Sequence, residues 1–472
     1  MAAPEMHMPF GQFLRQERTA LLLSAALFVL FFVLAIRIDF LIVFAACIGL
    51  LAAAGLSYLI VKHPGFGVAI MIIGTSLDVL GRIPGTPITL FHLGVFITLL
   101  VWLLRLYLAE TREIAKTSFD LPLWLFLAYI SFTLIYTPEP LEASVYFMRL
   151  IALVVVMYMT INVVTDRTSL NVSLGALILS AFALSAFAIT DITNTSAYLM
   201  QAAVGFSKVF GRFGVTFENP NYFATFLMIA LAVSASLVIN GRLTPLLRLV
   251  LLAMAGVILV GLVGTFSRAA WVALLPALVI VIYYSRYRGT IFISIFVAVL
   301  AAAIVLWNTP FVRSVIMRFS SLASASADPS SMTRVFLLQG GWDMLLDTWF
   351  LGVGYRGFPV FYEKLYRPHS QVLFDVFESH TLPMEMLAEL GIIGFALFVW
   401  FLVRYFKYGF HSISRIEHPY YRACQIGVVA SMAGYLTNAL FSPGQLASNY
   451  LWIGFGLTYA IPRLAQRAED RE

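Results

Sequence analysis

What this sequence has least of is charge. Asp, Glu, Lys and Arg together make up 11% of its 472 residues, where a soluble chain carries roughly 25%. Hydrophobic residues make up 61%, so the surface of so long a chain cannot be clothed in groups that face water, and most of it faces lipid. That excludes a soluble enzyme, a secreted disulfide scaffold and a disordered tail. Cysteine is almost absent. Cys47 and Cys424 stand far apart, in or beside apolar runs. Their spacing suits neither a disulfide framework nor a metal site, and they read as small apolar side chains inside helices. Alternating ten-residue segments are also missing, and the long continuous apolar runs exclude a membrane β-barrel. The net charge of +6 is spread between the apolar runs, so it points to the positive-inside rule and not to nucleic acid. Met1 to Thr19 is polar and the first apolar run is followed at once by another, so no cleavable signal peptide is expected.

What is there is a succession of apolar runs near or above the ~20 residues that cross a bilayer. They fall at 20–36, 40–61, 65–80, 91–108, 121–136, 145–164, 170–190, 222–239, 247–264, 269–284, 290–307, 384–406, 423–441 and 448–462. The expected fold is an all-α polytopic membrane protein with about 12–14 transmembrane helices, the lower count holding if short runs are re-entrant or interfacial. Four parts are expected: N-terminal transmembrane helices over 1–120, a second set over 121–307, a long outer segment carrying short helices over 308–383, and C-terminal helices with a tail over 384–472. Ser320 to Ser331, rich in Ser and Ala, reads as a flexible connector.

Orientation follows from the basic residues. With the N-terminus cytoplasmic, eighteen of the thirty Lys and Arg fall on that side, among them Lys62, Arg105, Arg167, Arg404, Arg463 and Arg467. The opposite short loops hold the acidic Pro138 to Glu142. Arg37, Arg82, Lys208, Arg212 and Arg268 run against this bias, and Arg149 falls inside a span. Snorkelling or an internal ion pair accounts for Arg37 beside Asp39. Ionisable groups at membrane depth are otherwise a functional signal, and Arg212 and Arg268 at the outer boundary suit an anion presented by the outer leaflet.

Three segments concentrate the chemistry. Gly211 to Asn221 contains Arg212, Thr216, Asn219, Pro220 and Asn221 and reads as an ordered loop at the membrane face. Gly264-Thr265-Phe266-Ser267-Arg268 joins two spans with almost no linker. The outer segment contains Arg334 in a run from Thr333 to Trp349 that suits an amphipathic helix on the membrane. Gly352-Val353-Gly354-Tyr355-Arg356-Gly357-Phe358 follows, a glycine-punctuated turn without the GxGxxG spacing of a dinucleotide site. Its many aromatic residues suit stacking on sugar faces and interfacial packing equally. The segment ends at His380, whose ring titrates near neutral pH. Pro383 suits the first turn of the next helix, and the positive end of that helix favours a neutral imidazole able to act as a base. Glu378, Glu385 and Glu389 are near enough in sequence to orient it, and His369 is the rival candidate.

These motifs, in this order, resemble the O-antigen ligase and polymerase superfamily of bacterial envelope membrane proteins. His380-Thr381-Leu382-Pro383-Met384-Glu385-Met386-Leu387-Ala388-Glu389-Leu390-Gly391-Ile392-Ile393-Gly394 looks like the superfamily's His-containing signature. Ser267-Arg268, the Arg212 to Asn221 loop, and Arg334 with Gly352-Val353-Gly354 look like its other motifs, the likeness covering about residues 205–400. Thr381 stands where Asn is usual, Met384 where Leu is usual, and Tyr355-Arg356 interrupts the common glycine run. The resemblance implies a metal-independent, cofactor-free, inverting glycosyltransferase of the bacterial inner membrane with its active site facing the periplasm. The donor would be an undecaprenyl-pyrophosphate-linked glycan and the acceptor lipid A-core. It assigns His380 as general base and Arg268 and Arg212 as stabilisers of the leaving pyrophosphate. Ser267, Asn219, Asn221, Arg334, Tyr355, Arg356 and Glu389 would bind substrate. A ligase is the first expectation, an O-antigen or exopolysaccharide polymerase with a glycan acceptor the alternative, and a flippase for the same lipid-linked glycan the alternative of another class.

Overall fold

The computed structural model describes residues 58–77, 88–108, 114–190, 213–217, 219–291, 329–367, 381–442 and 445–470, with a few single positions besides. Met1–Lys62 is a unit apart from His63–Glu472; of it, 58–62 are described and are helical. All that follows concerns the larger unit.

The helices of that unit are α1 Gly65–Ser76, α2 Leu90–Leu108, α3 Asp120–Thr133, α4 Pro140–Val163, α5 Arg167–Thr190, α6 Pro220–Asn240, α7 Pro245–Gly264 and α8 Arg268–Tyr283. They continue with α9 Pro329–Asp347, the short α10 Phe358–Phe361, α11 Leu382–Arg415, α12 Pro419–Ala439 and α13 Asn449–Glu469. Each expected span between 65 and 284 and beyond 384 coincides with a helix. Among the described residues α2, α4, α5, α6, α7 and α11 are long and apolar enough to cross a membrane, and α1, α3 and α8 are shorter apolar helices. The expected spans at 20–36 and 290–307 lie outside the described residues, as does nearly all of that at 40–61. The chain is an all-α, multi-pass membrane protein.

Several helices start by the same local chemistry. Asn219 caps α6, its side chain accepting the Asn221 N–H at 2.8 Å, and Pro220 follows where a missing N–H costs nothing. Thr244 with Pro245 opens α7, and His418 with Pro419 opens α12. Inside the bundle α6 is buried along most of its length, and α8 and α12 close on it through small residues. A Cβ added at Gly434 of α12 would press on Met228 of α6 and on the Ala273 carbonyl of α8, the close backbone approach that membrane helices use for packing. By contrast α7 turns Leu246, Leu249, Leu252 and Val260 outward.

Helices α1, α4 and α13 run the length of this unit and define two ends. The C-terminal end of α1 and the N-terminal ends of α4, α6, α11 and α13 surround one cavity. The N-terminal end of α1 and the C-terminal ends of α2, α4 and α13 surround another. Along α13, Tyr450 and Arg463 lie about 20 Å apart at the rise of an α-helix, so the two cavities belong to opposite faces.

One element departs from the regular pattern. Within α11 the backbone of Gly391 takes φ 64° and ψ −169°, breaking the helix. A continuous helix would pair the Ile392 N–H with the Ala388 carbonyl. Here Ile392 donates to the Phe350 carbonyl at 3.0 Å, while the carbonyls of Ala388 and Glu389 accept the N–H groups of Val353 and Gly354, each at 2.9 Å. The turn after α9 is thereby docked into the break, and these three backbone groups find partners in it. Gly352 and Gly354 have φ of 84° and 92°; a Cβ at the first would strike the Glu389 carbonyl and at the second Thr137. The expected amphipathic helix is α9. Leu337 and Met344 pack with Val353, Phe358, Tyr362 and Ala388, while Leu338, Trp342, Leu346 and Trp349 remain exposed.

Candidate active site

The docked turn sets the geometry of the first cavity. Glu389, only 1% exposed, has both carboxylate oxygens engaged by backbone: Oε2 accepts the Arg356 N–H at 2.9 Å and Oε1 the Phe358 N–H at 3.3 Å. Arg356 itself stands at φ 61°, a left-handed conformation that a non-glycine residue holds only when its surroundings impose it. From the other side, Thr133 Oγ1 accepts the Tyr355 N–H at 3.3 Å, and Thr137 Oγ1 donates to the Tyr355 carbonyl at 2.8 Å. The Tyr355-Arg356 backbone is thus gripped by α3 and its following turn on one side and by α11 on the other. Its direction fixed, the Arg356 guanidinium lies over the Tyr146 ring of α4, 4.0 Å from the centroid.

The cavity beside it holds about 330 Å³ and is lined by Arg356 with Arg82, Arg149, Tyr146, Tyr222, Glu385 and Asn449 among others. Arg149 comes from the N-terminal half of α4, while Arg82 lies in the α1–α2 connection, its backbone bridged to Thr89. Among the described lining residues, three guanidinium groups from three separate elements stand with one carboxylate, Glu385. The rim is tied by side chains: Asn449 Nδ2 donates to Thr75 Oγ1 at 3.3 Å, and Asn438 Nδ2 to Thr225 Oγ1 at 2.7 Å. Burial, reinforced by the carboxylates of Glu389 and Glu385, raises the Tyr355 phenol well above its ordinary range. At neutral pH Tyr355 is therefore a neutral donor at the wall of a basic cavity. Among the described residues, no group of three His, Cys, Asp or Glu stands close enough to hold one metal ion.

Two further motifs meet at this end. Phe266, at φ 52°, turns the chain between α7 and α8 so that Ser267 and Arg268 follow without a linker. Ser267 is buried and Arg268 half-buried at the start of α8. The Phe213 N–H donates to the Gly264 carbonyl at 3.1 Å, and Thr216 Oγ1 donates to the Ser76 carbonyl at 2.6 Å. Phe217, four residues on from Phe213, lines the cavity. One short loop therefore joins the Ser267-Arg268 turn to the cavity wall.

The site residues read from the sequence separate into groups. Tyr355 and Arg356 line the cavity, and Glu389 stands behind them on their backbone. Asn219 serves as the cap of α6, and the Asn221 carbonyl accepts from Thr225 Oγ1 at 2.8 Å. Ser267 and Arg268 stand at the adjoining turn, and Arg334 is half-buried on α9. His380 and Arg212 lie outside the described residues, as do Glu378 and His369; the chain resumes at Thr381, the cap position of α11, with Pro383 in its first turn as expected. Sequence reasoning did not assign Arg82, Arg149, Tyr146 or Asn449 to the site. Arg82 and Arg149 carried a signal, basic residues out of place for the positive-inside rule, whereas Asn449 had only its place in a short polar stretch between two spans.

The fold and this cavity define a class: a multi-pass helical membrane protein with a basic cavity among helix ends at one face. Residues 253–399, from within α7 to beyond the break in α11, match the O-antigen ligase family. The chain is also 23% identical over 274 residues to the teichuronic acid biosynthesis protein TuaE of Bacillus subtilis (strain 168), a match covering 54% of this chain and 52% of that protein. The chain thus spans about half the length of the curated relative it matches. Over residues 253–399 it is therefore similar to the O-antigen ligase family, the likeness that its motifs led one to expect.

Proposed function

We propose that the protein is a glycosyltransferase that moves a glycan from undecaprenyl pyrophosphate to an acceptor hydroxyl at the periplasmic face of the bacterial inner membrane. The observation that supports this reading best is the convergence of Arg82, Arg149 and Arg356 on one cavity, at the face where the Ser267-Arg268 turn stands. Breaking the anomeric C–O bond leaves its electron pair on the lipid pyrophosphate, and guanidinium groups already in place stabilise that charge as it develops. Arg268 and Arg212 take this role by the superfamily resemblance, and the cavity arginines extend the basic surface around it. The acceptor oxygen attacks the anomeric carbon, its proton passes to the imidazole of His380, and single displacement inverts the centre. No metal enters this scheme.

The O-antigen ligase match favours lipid A-core as acceptor. A polymerase, with a second lipid-linked glycan as acceptor, is the second reading, favoured by a relative whose name ties it to teichuronic acid and not to O-antigen. The test is to incubate the purified protein in nanodiscs with a defined undecaprenyl-pyrophosphate glycan, first alone and then with lipid A-core. A conjugate that forms with lipid A-core and is lost in His380→Ala is the expected result. A mass ladder with donor alone, lost in the same variant, makes the protein a polymerase. Glycan transfer that survives His380→Ala overturns the mechanism, and no product in either arm with glycan translocation intact points to a flippase.

A further inference from the structure

Helix α9 presents three faces. Leu337 and Met344 on the first pack with Val353, Phe358 and Tyr362 and with Ala388 of α11. Gln339, Asp343 and Asp347, at four-residue steps, form an exposed polar row, and Asp347 accepts the Tyr366 hydroxyl at 2.7 Å. Val335, Leu338, Trp342 and Leu346 recur at three- and four-residue steps and are exposed as well, with Trp349 just past the helix end. They make a separate apolar stripe beside the polar row. The helix closes on an unusual residue. The Trp349 N–H donates to the Leu346 carbonyl at 3.0 Å and the Phe350 N–H to the Leu345 carbonyl at 2.9 Å, the pattern that ends a helix on a left-handed residue, most often glycine. Here Trp349 and Phe350 hold φ of 51° and 64°, a conformation that is costly for side chains so large. It leaves the Trp349 side chain 86% exposed. In water nothing would offset backbone strain that exposes a large apolar ring.

We propose that this stripe is seated in the headgroup region of the membrane, so that α9 lies along the interface and anchors the turn that carries Arg356. The occupant is lipid because the stripe is continuous with the surface of a membrane span. The Phe350 carbonyl accepts the Ile392 N–H at 3.0 Å, and Phe350 and Leu351 are exposed, as are Ile392 and Ile393. Those isoleucines stand just past the break in α11, a helix long and apolar enough to cross a membrane. An apolar row beside a polar one suits a helix lying in the interface. Trp is a side chain that settles there, its ring in the apolar layer and its N–H toward water. Between Trp349 and Arg356, the N–H groups of Val353 and Gly354 are bonded to α11, so the depth of the one fixes the depth of the other. On the proposed function that depth is the level of a lipid-linked pyrophosphate; the anchor itself does not rest on that reading.

The test uses the full chain in phosphatidylcholine vesicles, freed of its two cysteines by Cys47→Ala and Cys424→Ala. A nitroxide is attached through Leu338→Cys or Leu346→Cys on the stripe, and through Gln339→Cys or Asp343→Cys on the polar row. Collision of the label with oxygen, which concentrates in lipid, is compared with collision with a water-soluble nickel chelate. Oxygen is expected to prevail at Leu338 and Leu346, and the chelate at Gln339 and Asp343. The chelate prevailing at all four positions puts α9 in water and overturns the proposal. Low collision with both reagents at Leu338 and Leu346 also overturns it, because protein, from this chain or a second copy, then covers the stripe. Two positions on each row keep the test decisive if one labelled variant melts early. Trp349→Gly is a second measure, since glycine relieves the left-handed strain and keeps the cap. It is expected to melt no lower than the parent and to make the label at Leu346 more accessible to the chelate. An unchanged label there overturns Trp349 as the anchor.

Discussion

At the scale of single residues, Glu389 and Arg356 form one device. A buried carboxylate that accepts two backbone N–H groups holds the turn, and the turn aims the guanidinium across Tyr146 into the cavity. Glu389→Gln replaces one accepting oxygen by an amide that must face an N–H donor, costing about 1.5–3 kcal/mol, the worth of hydrogen bonds to a charged group. A lower melting temperature and a raised KM for donor are expected together. An unchanged melting temperature means that the carboxylate does not hold the turn. Arg356→Lys keeps the charge and loses the planar fork. It is expected to melt like the parent and to raise KM for donor about tenfold, the usual worth of a well-placed charged hydrogen bond; unchanged kinetics with a binding-competent donor would remove Arg356 from the site. The sequence made Arg356 visible as a basic residue in a glycine-rich turn. It also suggested that Glu389 meets substrate; the structure shows its carboxylate accepting the backbone N–H groups of Arg356 and Phe358. Nothing in a helical-looking run shows that a carboxylate holds a neighbouring turn.

At the scale of elements, the break in α11 explains why residues so far apart in sequence act together. The apolar run at 384–406 reads as one uninterrupted span, because hydropathy reports burial and not hydrogen bonding. Only the glycine hints otherwise, and its meaning emerges once the turn after α9 is seen to take up the released carbonyls of Ala388 and Glu389. Gly391 occupies a backbone region that is essentially closed to other residues, and a Cβ there would collide with the Phe350 and Leu351 carbonyls. Gly391→Ala is expected to destabilise by about 3 kcal/mol or more, combining backbone strain with loss of the docked turn. Gly175→Ala is the control. Gly175 lies within α5 with open space around it, and the change there is expected to stay within about 0.5 kcal/mol. Thermal unfolding of both variants in the same detergent checks the pair; equal midpoints mean that the break in α11 is not imposed by Gly391.

At the scale of the molecule, what the sequence made legible was the set of helices. What it hid was convergence. Arg82, Arg149 and Arg356 are dispersed along the chain, and only packing of α4 against its neighbours brings them to one cavity. The positive-inside pattern predicts one polarity for the two cavities: Arg82, which runs against the bias, and Arg149, set within a span, line one, and Arg105, Arg463 and Arg467, which follow it, line the other. This polarity is testable without any substrate. In a variant freed of thiols by Cys47→Ala and Cys424→Ala, Ser448→Cys at the first cavity is expected to react in intact cells with a thiol reagent that enters the periplasm but not the cytoplasm. Arg467→Cys at the second is expected to react only after the inner membrane is permeabilised. Cys424 is buried, so melting of the thiol-free variant beside the parent checks that its packing is retained. The reversed labelling pattern would turn the molecule over, putting the Ser267-Arg268 turn and its cavity in the cytoplasm. A glycan presented on the outer leaflet would then be out of reach, and the proposed transfer would fail on topology alone, before any catalytic residue had been changed.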